Sequence, residues 1–158
     1  SALDTADVMN QVNPDFIRIR SMALAENLEM YEDYEKGILT RPNDMETIGE
    51  IRLFLENLHG ITSWVDSDHI LNILLELKGR LPEDKDRMLA LIDFFLDLPE
   101  DTQNLFRLGR RLGIMGQLSD LRNEVLVDKV KQTMDQAHVD KTNIDAVCDR
   151  LMIRAIPI

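Results

Sequence analysis

The chain has 158 residues, 18 of them Lys or Arg and 29 Asp or Glu, which leaves a formal charge of −11. Apolar residues make up 44% and charged residues 30%, the profile of a globular domain and not of a disordered tail. An acidic chain is a poor match for a phosphate backbone, whose grip comes from many Lys and Arg, and no apolar run reaches the roughly 18–20 residues of a membrane span.

Taken in chain order, the pattern is helical almost throughout. Pro14 with Asp15 opens a helix expected to run to about Glu35, and the stretch from Gly37 to Pro42 breaks it. Asn43 with Glu46 has the spacing of a cap and its return partner. Ile51, Phe54, Leu55 and Leu58 then fall on one helix face, and Gly60 closes that helix. Asp66 or Ser67 caps a further expected helix carrying Leu71, Leu74 and Leu75, stopped by Gly79. Met88, Leu91, Ile92 and Phe95 repeat the helical spacing, as do Val127, Val130 and Met134. Ile144 to Ile153 reads as the last helix. No segment alternates apolar and polar residues for long enough to argue for a strand.

Leu81-Pro82-Glu83-Asp84 recurs as Leu98-Pro99-Glu100-Asp101. Each copy places Pro and two acids where a helix begins, a position that tolerates the missing N–H and favours negative charge. An offset of one helix and a turn suggests stacked helical hairpins. The expectation is an all-α fold of seven to nine helices in a right-handed, HEAT- or armadillo-like stack. It treats residues 1–158 as a single helical domain, with 1–40 an N-terminal helical extension and 43–158 the core. At this length the core closes without a metal or a disulfide. The chain does not begin with Met, which suggests flanking sequence beyond it. No leader peptide is expected.

Little in the chain points to catalysis. Each histidine has an acid three residues earlier, in Glu56–His59, Asp66–His69 and Asp135–His138. Di-iron bundles use two Glu-x-x-His pairs, and only the first of these three has that form. A metal-dependent bundle enzyme using Glu56, His59 and His138 is therefore a minor alternative, and no cofactor or metal is expected. Cys148 is a lone cysteine, which fits a reducing compartment. Flanked by Asp145 and Asp149, it suits a buried apolar role better than a nucleophilic one. There is no Gly-x-Ser-x-Gly elbow and no phosphate-cradling glycine loop.

The segment from Thr102 to Ser119 contains no acid. It carries Arg107, Arg110 and Arg111 and the glycines Gly109, Gly113 and Gly116. Glycine in a helix costs about 1 kcal/mol relative to Ala, so a reason is needed. Close approach of another backbone supplies one, and arginine offers a planar fork of donors for carboxylates. The reading is a docking groove for an acidic–aromatic peptide, lined by Arg107, Gly109, Arg110, Arg111, Gly113, Ile114 and Met115. The alternative is a tightly packed helix pair with solvated arginines. Glu26 to Glu35 holds five acids with Tyr31 and Tyr34 between them. It reads as a solvated helix face, with contact to basic histone-like segments as the sharper alternative.

Phe94-Phe95-Leu96-Asp97-Leu98-Pro99, then Leu105, then Leu108-Gly109-Arg110, resembles the core of the Iws/Spn transcription elongation factors ("interacts with Spt-six"). In that family a helix ends in Leu-Pro and a Leu-Gly-Arg box follows. Other stretches are similar: Ile48 to Leu58, Asp66, His69 to Leu77, the Leu81-Pro82 break, the entry Ala6-Asp7-Val8-Met9, and Arg150-Leu151-Met152 running to Ile156-Pro157-Ile158. The resemblance implies a fold related to the TFIIS N-terminal domain, with 43–158 as its core. It implies a non-enzymatic nuclear scaffold that binds the N-terminal region of the histone chaperone Spt-six and travels with RNA polymerase II. No direct nucleic-acid contact, no membrane and a monomeric state go with that reading. The family's contact residues fall on Arg110 and Ile114. Ile114 stands where the family usually has an aromatic, and Arg154 and Ala155 occupy the place of an expected Trp. Trp64 is read as core. A different peptide-docking module of the TFIIS N-terminal type is the alternative.

Overall fold

A computed structural model describes residues 1–22, 24, 26 and 28–154. Among them the chain forms seven α-helices, one 3-10 turn and three short strands. The helices are α1 (Ala2–Val12), α2 (Glu29–Glu35), α3 (Asp44–Glu56), α4 (Lys85–Leu96), α5 (Glu100–Arg111), α6 (Glu124–Gln136) and α7 (Ile144–Arg154). The strands are β1 (Phe16–Arg18), β2 (Trp64–Asp66) and β3 (Lys78–Arg80), and the 3-10 turn is Leu118–Arg122. The protein is mostly helical, as its periodicity implies, with a small sheet added. No helix among the described residues is long and apolar enough to cross a membrane.

The chain divides into two compact units that interleave in sequence. The first comprises Ser1–Arg20 and Met45–Leu98, the second Ser21–Asp44 and Pro99–Ile158.

In the first unit, α1 begins with a capping box. The Ser1 hydroxyl accepts from the Asp4 N–H and the Asp4 carboxylate returns to Ser1. The helix stops at Asn13, which takes a left-handed conformation at φ 46°, one of the few backbone states that suit Asn better than most residues. The Asn13 side chain also accepts from the Thr62 N–H at 2.9 Å. This places the start of β1 beside β2. The two strands pair in parallel, Ile17 opposite Val65, and β3 adds antiparallel to β2 with Gly79 opposite Val65. The core of this unit includes Leu55, Val65, Met88, Ile92 and Phe95, all buried, and α4 packs on β3.

Two expected helices do not form as expected. Residues 16–18 are a strand, and among the described residues of the helix expected from Pro14 to Glu35 only Glu29–Glu35 is helical. Leu71 to Leu77 form an irregular, buried segment. It is tied by Asn72, whose Nδ2 donates to the Ile19 carbonyl and to the Ser67 hydroxyl, both at 2.8 Å. Gly79 is therefore the middle residue of a strand and not a helix stop. The Leu-Pro-Glu-Asp echo is half realised. Pro99 immediately precedes α5 and its acids fill the first turn, whereas Leu81 to Asp84 form a turn ahead of α4 with a cis Leu81–Pro82 bond.

In the second unit α5 packs against both α6 and α7. Its residues from Asn104 through Gly109 are all buried, so the middle of this helix is covered well beyond one narrow stripe. Asn123 starts α6 by accepting from the Val125 and Leu126 N–H groups.

Candidate functional site in the second unit

The acid-free segment forms α5 and the loop after it, and its arginines point inward. Arg107 is 2% exposed. Its guanidinium donates to Asp44 at 3.2 Å, to Asp145 at 2.5 Å and to the side-chain amide oxygen of Asn104 at 3.2 Å. Arg111 pairs with the other oxygen of Asp44. Asp44, 7% exposed, thus sits between two guanidiniums of α5. Burial alone would lower the Arg107 pKa. The hydrogen bond to Asp145 and the Asp44 charge more than offset this and hold it above its ordinary value.

This corrects the groove inferred from the sequence. Arg107 and Arg111 are not solvent-facing forks awaiting a peptide, because Asp44 pairs with both and Asp145 with Arg107. Met115 is 1% exposed and packs on Gly109. A Cβ at Gly109 would come within 2.8 Å of the Met115 sulfur and 3.2 Å of Val130. That close approach is the reason for glycine at 109. Gly113 ends the helix at φ +68°, and the Gly116 N–H donates to Asp120 at 2.7 Å. Arg110 donates to the Met115 carbonyl at 3.1 Å. Ile114 is half-buried.

The remaining candidates are also accounted for locally. Glu56 pairs with Arg52 at 3.1 Å, and His59 Nδ1 lies 3.5 Å from Lys85 Nζ. His138 sits in the turn after α6 at φ 52°. Among the described residues no group of three or more His, Cys, Asp or Glu is placed to hold a metal ion. Cys148 is buried and its thiol is pushed up to about 12, first by burial and then by the Asp44 charge. Trp64 is half-buried on β2. Of the acidic run, Asn27 lies outside the described residues. Within α2 no residue is buried, and Tyr34 donates to Asp149 at 3.2 Å. Asp149 also pairs with Arg41. Residues 155–158, which carry part of the resemblance at the end of the chain, lie outside the described residues.

Among the described residues an accessible hollow of this unit lies elsewhere. Asp101, Asn104 and Leu105 of α5, Lys131, Met134 and Asp135 of α6, and Val139, Asp140 and Lys141 after α6 line a cleft of about 520 Å³. On each helix the three residues have i, i+3, i+4 spacing, one face apiece. Leu105, Met134 and Val139 supply an apolar floor, while Lys131 and Lys141 put ammonium groups among the rim carboxylates. No sequence motif marks this site; the one local signal is the helical spacing of Val127, Val130 and Met134. The arrangement can seat an apolar side chain and pair charges around it; it brings together no nucleophile and base.

No family model matches the chain, and no curated protein and no solved structure is similar to it at a significant level.

Proposed function

We propose that this chain is a docking module without catalysis of its own, whose second unit receives a peptide segment of a partner protein between α5 and α6. The observation that carries this is the 520 Å³ cleft with its apolar floor and mixed-charge rim, the form of a site that takes one anchor side chain and orients its flanks. Arg107 and Arg111, held by Asp44 and Asp145, do not line the receiving surface. That surface is the face of α5 and α6 that lines the cleft.

The resemblance to the elongation factors nominates the occupant: the N-terminal region of Spt-six, in a nuclear complex travelling with RNA polymerase II. A HEAT-like arrangement of the helices and the TFIIS N-terminal relation belong to the same proposal. The support is the Leu98-Pro99 to Leu108-Gly109-Arg110 spacing. In the structure that spacing spans the turn into α5 and the helix itself.

Calorimetry with an Spt-six N-terminal peptide tests both levels. Met134→Glu places a charge on the apolar floor and is expected to weaken binding by tenfold or more, with helical circular dichroism unchanged. Arg110→Asp, away from the residues lining the cleft, is expected to leave affinity near that of the unaltered chain. The reverse pattern would return the contact to the family position and refute the cleft. No binding by Spt-six peptide, with retention of other apolar-anchored peptides on an array, would remove the nominated partner and keep the module.

A further inference from the structure

The small sheet of the first unit ends at β1. The strand order is β1-β2-β3, so β1 has a neighbour on one side only. The register with β2, together with the Trp64 N–H donating to the Asp15 carbonyl and the Ile19 N–H to the Asp66 carbonyl, fixes which groups face where. Asp15, Ile17 and Ile19 turn main-chain groups toward β2. Phe16 and Arg18 turn theirs outward, and among the described residues nothing bonds them there. Phe16 is 50% exposed, and the Arg18 side chain is 47% exposed. An open edge of this kind is a template on which another strand can pair.

We propose that this edge pairs with the same edge of a second copy, antiparallel and about a two-fold axis through Ile17. In that register Phe16 lies opposite the partner's Arg18, and Arg18 opposite the partner's Phe16. Each pair exchanges both of its main-chain hydrogen bonds, because these are the residues whose N–H and C=O groups point outward. The pairing is isologous, as two-fold assembly requires. Directly opposed side chains share a face, so each Phe16 ring meets a guanidinium, a favourable cation–π contact. Asp68 already holds Arg18 in place.

Charge selects this surface over others for self-contact. Two copies of a chain at −11 repel, and they approach at least cost where local acids are few or already paired. The run Phe16-Ile17-Arg18-Ile19-Arg20 has none, and Asp68 beside it is paired with Arg18. Screening the overall repulsion with salt therefore favours the dimer, opposite to the trend expected where an ion pair drives association.

Sedimentation velocity across a protein-concentration series, in low and raised salt, tests this on the whole chain. A dimer is expected to grow with concentration and to strengthen with salt. Phe16→Lys sets two cations in opposition and is expected to leave a monomer. Arg18→Pro removes an outward N–H that β2 does not use and is expected to do the same, with the thermal midpoint of the dilute protein unchanged. In the dimer the Phe16 and Arg18 amides should exchange with deuterium more slowly than in either variant. A monomer at every concentration would overturn the proposal. So would a dimer that survives both substitutions or dissociates on adding salt.

Discussion

Asp44 is the residue on which most of the second unit's buried charge depends. It carries one carboxylate for two guanidiniums, Arg107 and Arg111, each almost fully buried. Removing one member of such a set leaves an uncompensated charge, which typically costs about 3–5 kcal/mol. Asp44→Ala is therefore expected to lower unfolding stability by roughly that amount, read as a shifted urea midpoint with an unchanged slope. An exchange of surface aspartates such as Asp128 should cost far less. The acid-free run around these arginines is visible in the sequence, but the carboxylates that hold them are not local to it. Their partners, Asp44 and Asp145, lie 63 and 38 positions from Arg107, and no local pattern announces a pairing over that distance.

Cys148 offers a residue-scale test with a definite sign. Its folded pKa is raised from 9.0 to about 12, so the folded chain keeps a proton that the unfolded chain loses. The contribution to stability is whole below about pH 9, declines as pH rises beyond it and is exhausted near 12. A thiol reagent at pH 8 should label Cys148 only as fast as the protein opens, and immediately in denaturant. Rapid labelling of the native protein would contradict the burial.

At the scale of elements, helices with one strong apolar face were legible. The spacing of Met88, Leu91, Ile92 and Phe95 became α4, and the expected Ile144 to Ile153 became α7. The strands were not legible because each has three residues, too short for alternation to show against the flanking pattern. Leu71, Leu74 and Leu75 have helical spacing, yet Ile73 and Leu77 are buried as well. A segment enclosed on several sides carries no periodic signature, and the Asn72 bonds that shape it reach back to Ile19. Gly79 makes the same point. In the sequence it looked like a helix stop; in the structure it makes room for Asp84, whose carboxylate accepts from the Arg80 N–H at 2.8 Å. A Cβ at 79 would stand 2.8 Å from Asp84 Cγ. Gly79→Ala is expected to cost about 1–3 kcal/mol, as overpacking does, and Asp84→Gly in the same chain should recover part of it. Additive losses would show that the two positions do not compete for space.

For the molecule as a whole, the sequence conveyed the class and missed the surface. Composition and periodicity specified a mostly helical chain, because they report averages over many residues. The cleft between α5 and α6 depends on which apolar side chains stay uncovered after packing, and Val130 and Met134 look alike until one is wholly buried and the other is not. The proposed role requires that this uncovered face receive another chain. The most direct measurement is amide chemical-shift mapping during titration with an Spt-six N-terminal peptide, repeated with peptides selected from an array. Shifts are expected to concentrate at Leu105, Lys131, Met134, Val139 and Lys141 and to saturate. Shifts confined to Arg110 and Ile114, or none with any peptide at saturating concentration, would contradict it.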